Sequence, residues 1–565
     1  MTSTSVHFPF DRFLRYDEMS AALHAFVAAH PRLVSVETYG SSHEGRPLLL
    51  VTITDSETGT HDTKPAHWVD ANIHSVEVTG GVAALYLLHH LVSGFEAGDP
   101  TVTQAVRTRT FYVVPRVNPD GVEASLADVP KYRRSSMRPW PWADRHQWPG
   151  LVDQDIDGNG KVLSMRIADP NGAWIPSEQD ARVMVPVPVD GILPAGAVRY
   201  RMLIEGLVFD HDGFTIPTPR DVEGLDMNRN FPAGWGTGVT GSGDHPMSEP
   251  EIDALVRAIV ARPNVCGYNA FHTSGGVLLR PSSTSPDSSI APFDLWTWKQ
   301  LGQRGTELTG YKTHSVFEDF TWDKKDTMSG AADDWAYEHL GVVSWTTEFW
   351  DVVHHATGER SSTDIWYVGP TVEQELAVAA WSDQHGEYYF PWVPFEHPQL
   401  GPLEIGGLDW FRLFTNATPD LLEAEVAPHA QFAVHQALAS PRLEILHVMA
   451  VGLGDGTWRV EAGIANTGWL STTVTTKAAK DRLVRDLIAE LSLPDGAMVV
   501  GGSNRQRLGQ LAGRSAFRLD GGGRNDGTPD RVLATWIVRA PTGTSVEVTA
   551  THQRAGRATA TVILA

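Results

Sequence analysis

His74 and Glu77 stand three residues apart in VDANIHSVEVTGG, just after an apolar run. On a turn that enters a helix, an imidazole and a carboxylate at that spacing can face one metal ion. Alone the pair is a weak signal, because the chain has 23 His and 68 Asp and Glu, and its plain alternative is a solvated loop pair. Its company is more specific. VPRVNPDG (114–121), GLDMNRNFPAGW (224–235), SEPE (248–251), FHTSGG (271–276) and SWTTEFWD (344–351) follow in that order. His272 comes directly after the strand-like VCGYNAF, so it can approach the first two groups from a neighbouring strand. With a single cysteine, Cys266, a disulfide within the chain is excluded and any metal site must use histidines and carboxylates.

In this order the motifs resemble the signature of the zinc carboxypeptidase A/B family, across roughly residues 15 to 405. The resemblance implies one catalytic zinc held by His74, Glu77 and His272, with a coordination position left open for water. It makes Glu348 the glutamate that activates that water, where the bland alternative is a buried strand carboxylate paired with an arginine. Asn228 and Arg229 match the residues that bind a substrate's terminal carboxylate, a task suited to a guanidinium fork. An arginine must also stabilise the oxyanion; KYRRSSMR offers Arg133, Arg134 and Arg138, and Arg133 is the one we assign.

The sequence departs from the family where a tyrosine usually closes over the substrate, because Asp326 stands there. Either a displaced aromatic such as Tyr311 or Trp322 serves, or that hydrogen bond is absent. Asp333, in SGAADDW, falls at the family's pocket-floor position, where an acid attracts Lys or Arg side chains; with equal weight it is the N-cap of a helix toward Tyr337. The expected function is a zinc metallocarboxypeptidase acting on peptide C-termini, with a basic preference if Asp333 forms the floor. A related alternative is an amidase on murein-type peptides, whose diaminopimelate arm is also cationic. An alternative of another class is a catalytically silent zinc-binding interaction protein.

DQDIDGNGK places Asp153, Asp155 and Asp157 at alternate positions with Gly158 following, like the start of a calcium loop, but no acid closes it at the twelfth position. Asp210 and Asp212 could complete it from outside, yet an Asp-Gly turn needs no ion, so bound calcium is less expected than none. The pairs His89-His90 and His354-His355 read as structural. DGGGRND, near 520, lacks the Lys-Ser/Thr of a phosphate-binding loop.

Positioning these residues requires an α/β fold. Helical spacing covers 17–30, 79–92 and 249–261, and strand-like runs cover 48–54, 67–72, 111–115, 265–271 and 342–348. The alternation suggests an α/β sheet covered by helices, and the resemblance implies a mixed twisted sheet with helices on both faces, over residues 1–431. A Pro-, Gly- and Asp-rich stretch at about 132–224 reads as a long insertion that shapes the cleft, and 432–565 reads as a β-sandwich. With 565 residues two domains are expected, and a formal charge of −23 opposes phosphate backbones and anionic lipid. Peptide is the expected partner, not nucleic acid or membrane. With neither a signal-like N-terminus nor a long apolar run, a cytoplasmic location is expected.

Overall fold

The computed structural model describes residues 7–193, 195–325, 327–363, 365–517 and 526–565. Asp326 and most of the Gly-rich segment near 520 lie outside the described residues.

The apolar runs become one eight-stranded mixed sheet, in the order β1-β2-β4-β3-β5-β8-β6-β7. Its strands are β1 (Val34–Ser41), β2 (Pro47–Ile53), β3 (Ala66–Ala71), β4 (Thr110–Val114), β5 (Val265–Thr273), β6 (Val277–Arg280), β7 (Lys312–Ser315) and β8 (Val343–Phe349). The central strands β4, β3, β5 and β8 are parallel. Every residue of β3, β4 and β5 is buried, as strands covered on both faces must be.

Strand alternation divides the core. Val69, Val113, Phe271 and Phe349 meet the helices Tyr16–Ala29, Val78–Glu96 and Leu422–Ala439 on one face. Trp68, Tyr112, Val114 and Tyr268 meet Ile252, Leu255 and Ile259 of the helix Pro250–Val260 on the other. Leu87, Leu88 and Leu91 are fully buried, and each such side chain contributes about 1.5–3 kcal/mol. Their helix, Val78–Glu96, is long and apolar enough by composition to cross a membrane, contrary to the sequence reading; in this fold 67% of its apolar window is buried as a core helix.

The expected insertion is more regular than its composition suggests. Six short strands run between Gly150 and Phe209. Four of them join Tyr389–His397 and Gly401–Leu408 in a separate six-stranded sheet. Sequence periodicity missed them because each spans only three to five residues.

Beyond Leu443 the chain forms two four-stranded antiparallel sheets around a core that includes Val460, Leu491, Trp536 and Val548. A boundary at 431–432 needs correction, because the helix Leu422–Ala439 runs through it and buries Val426, Ala433 and Ala437 in the first core. Helical and strand periods overlap there, which blurred the transition. The two units are tied by buried polar groups. Arg554 donates to Gly341 O (3.0 Å) and Thr473 O (2.7 Å). Asp294 accepts from Thr476 N (2.6 Å), Lys477 N (3.0 Å) and the Tyr337 hydroxyl (3.0 Å). Replacing Asp294 by Ala orphans these donors and is expected to cost about 2–3 kcal/mol. A urea midpoint unchanged from wild type would contradict that role.

Candidate active site

The loop after β3 is shaped before any ligand is considered. Asn72 turns the chain at φ 56° and its side-chain amide donates to Glu77 O. Glu77 is the residue that precedes the helix Val78–Glu96, so its carboxylate stands at the helix entrance. The next turn contains Gly80 and Gly81, where a Cβ would lie 2.7 Å from Phe271 O and 2.3 Å from Asn72 Oδ1. Only glycine lets the helix begin this close to β5.

His74 Nδ1 lies 2.8 Å from Glu77 Oε1, and His272 Nδ1 lies 2.9 Å from Glu77 Oε2. The two Nδ1 atoms are 3.1 Å apart, and all three residues are buried. Two ring nitrogens facing each other and one carboxylate is a donor set suited to zinc, whose short bonds to nitrogen and oxygen bring its ligands close together. The three side chains can present one ligand atom each, all within 4.8 Å of one another. Burial alone would raise Glu77, but His74 and His272 hold it well below the usual carboxylate range. Burial would likewise lower His74, but Glu77 and Asp226 outweigh it and raise it.

Glu348 is the register partner of His272 across the parallel pair β5 and β8, which sets it beside the triad. Burial pushes its carboxyl up to about 8, with His272 opposing and Glu77 adding to the rise. A cation held at the triad would act in the opposite sense and lower it again.

Asp226, which sequence reasoning passed over, accepts from His74 Nε2 at 3.1 Å and from Arg134 Nε at 3.0 Å. It lies in the quoted GLDMNRNF run, two residues before Asn228, so the signal was present. The assignment of Arg133 is corrected. Its guanidinium is buried and held by Asp153 (2.9 Å) and Glu223 (3.2 Å), away from the triad. Arg134 is 55% exposed and its Nη1 reaches within 3.5 Å of Glu77 Oε1. Adjacent residues in an extended segment face opposite ways, which spacing alone could not register. Asn118 of the N-P-D-G turn fixes that segment by donating to Ser135 O, while Ser75 N donates to Arg134 O.

Asn228 Oδ1 accepts from Ala332 N (2.9 Å), joining it to the helix Ala332–Trp335 that carries Asp333. Gly330 makes that junction possible, since a Cβ there would lie 2.3 Å from Arg229 O. Arg229 opens onto a cavity of about 330 Å³ walled also by Thr240, Trp322, Met328 and Tyr367. Asp333 is buried, with Oδ1 accepting from Asp334 N and Oδ2 unpartnered. Its helix is preceded by Ala331 in the N-cap position, so the capping alternative does not hold. Burial raises its pKa. Tyr311 is buried with its hydroxyl on Glu425, whereas Trp322 is 59% exposed and stacks on Tyr367 at the cavity.

The acidic loop gathers Asp155, Asp157 and Glu205, the last not foreseen. Its carboxylates accept from backbone amides of Gly158, Gly160, Ile156 and Leu163 and so brace the turn. Asp153 is instead on Arg133, and Asp212 accepts from Phe214 N and Thr215 N. His355 stacks on Trp350 and meets Glu425.

Because Asp226 fixes His74 from behind, Asp226→Asn is expected to weaken zinc binding roughly 10–100-fold in a chelator competition. Unchanged affinity would remove Asp226 from the site.

A profile described as domain of unknown function matches 442–563. Carboxypeptidase B of Astacus astacus is 29% identical over 159 residues, 28% of this chain and 43% of that protein. Carboxypeptidase A2 of Rattus norvegicus is 32% identical over 132 residues, 23% of this chain and 30% of that one. The chain thus spans less than half the length of these curated relatives. The solved carboxypeptidase A from Helicoverpa armigera superposes with a TM-score of 0.45 at 17% identity, covering 77% of this chain and 75% of that one. The profile described as zinc carboxypeptidase matches residues 19–159 and 208–358, more than half of the chain, which therefore belongs to the zinc carboxypeptidase family.

Proposed function

We propose that this protein is a zinc-dependent carboxypeptidase that removes C-terminal residues from peptides, with lysine and arginine preferred. The observation that carries the reading is the buried His74, Glu77 and His272 triad with Glu348 in register beside it on β8. When bound there, zinc supplies a Lewis acid that polarises a carbonyl and makes water acidic.

The remaining work falls to side chains. Arg229 offers its fork, and Asn228 its amide nitrogen, to the terminal carboxylate, which restricts cleavage to the last bond. Exposed Arg134, anchored by Asp226, offers a cation toward the oxyanion as it forms. Glu348 takes the proton of the attacking water and delivers it to the leaving amine. The unpartnered Oδ2 of Asp333 favours a cationic side chain in the pocket, where pairing would offset the cost of the buried carboxylate. Trp322, on the rim of the Arg229 cavity, is the aromatic that favours closure where Asp326 replaces tyrosine.

Release of C-terminal residues from peptides ending in Lys, Arg, Leu or Phe tests this. Glu348→Gln is expected to lower kcat roughly 10²–10⁴-fold without loss of zinc. Full turnover in that variant would sink the mechanism. Asp333→Leu is expected to reverse the preference for Lys over Leu by on the order of 10²-fold in kcat/KM. A preference that survives the change would separate Asp333 from specificity.

A further inference from the structure

A second cavity, of about 280 Å³, shares no lining residue with the one onto which Arg229 opens. Ser274 and Gly275, just past His272, form one edge, and Trp350 and Asp351, just past Glu348, form another. Val352 and Val353 continue that edge, and the remaining walls come from residues beyond the family match, which ends at 358. Among them, Leu408, Trp410 and Phe414 are apolar, and Trp410 is 51% exposed.

Two carboxylates line this space among the described residues. Asp351 is fully used, by Ser361 Oγ (2.6 Å), Ser361 N (2.9 Å) and His354 N (3.1 Å). Glu375, on the helix Val372–Ser382, has no hydrogen bond or ion pair to its carboxylate among the described residues. Burial alone pushes it up to about 7, with no charged neighbour opposing. Arg182, beyond Tyr389, is committed to Asp180 (2.7 Å) and Asp383 (2.8 Å). An apolar slot with one unanswered carboxylate is complementary to a cation on an apolar stem.

We propose that this pocket is a substrate subsite for an alkylammonium or guanidinium group upstream of the scissile bond. A peptide supplies that chemistry as a lysine or arginine side chain, or as the α-ammonium of its first residue. The inference rests on the peptidase reading for its place in the reaction, and its binding test does not depend on turnover.

The zinc-loaded Asp333→Asn protein, in which the other proposed partner for a cation is neutral, is titrated calorimetrically with 2-phenylethylammonium and with 2-phenylethanol. The ammonium is expected to bind roughly tenfold tighter, and adding Glu375→Gln or Glu375→Leu is expected to remove the difference. Equal affinities before that change, or a preference that survives it, would overturn the subsite. In parallel, wild type is given peptides that end in Lys and carry Lys or norleucine at one upstream position at a time, with free or acetylated N-termini. A roughly tenfold gain in kcat/KM at one position, absent in Glu375→Gln, identifies a side chain. A gain abolished by acetylation identifies the α-ammonium. Cleavage of every peptide at rates indifferent to both changes contradicts the subsite, and cleavage of none contradicts the peptidase reading while the titration still decides the pocket.

Discussion

The carboxylate of Glu77 is the point on which the site converges. It faces both histidine rings and accepts from Thr273 N, so the loop after β3 and the end of β5 meet at one buried charge. Burying a carboxylate is costly unless it is paired and hydrogen-bonded. The surroundings answer that cost in sequence: Glu77 against His74, His74 against Asp226, Asp226 against Arg134. The alternation leads from a closed interior to an exposed guanidinium.

This arrangement depends on the parallel strands. β3, β5 and β8 end together, so residues far apart in sequence reach one place: Glu77 from the loop, His272 from β5 and Glu348 from its register partner on β8. The other end of β5 is held differently. Cys266 Sγ donates to Arg554 O, and Arg554 spans to Gly341 and Thr473, so the C-terminal sheets brace the origin of the strand whose far end carries His272. The six-stranded sheet, assembled from 164–204 and 389–408, is laid outside the family match and leaves the triad untouched while changing the walls around it.

Much of this was legible in the residues. The buried strands announced themselves as apolar runs, and His74, Glu77, His272 and Glu348 stood in ordered motifs whose spacing fits strand ends. What stayed hidden was orientation and pairing. Arg133 and Arg134 are neighbours in sequence, and only folding decides that one is consumed by Asp153 and Glu223 while the other faces the triad. The strands between Gly150 and Phe209 are too short to show a period, and the partner of one of them, Ser164–Ala168, lies near 400 in the chain. Glu375 gave no sequence signal, because a carboxylate on an amphipathic helix normally faces water.

The most direct test is a crystal structure of zinc-loaded Glu348→Gln protein with an uncleaved peptide ending in lysine. The arrangement predicts one zinc on His74 Nδ1, Glu77 and His272 Nδ1, the terminal carboxylate on Arg229 and the lysine ammonium at Asp333. A metal bound elsewhere, or a peptide chain continuing past Arg229 on both sides of the triad, would contradict it.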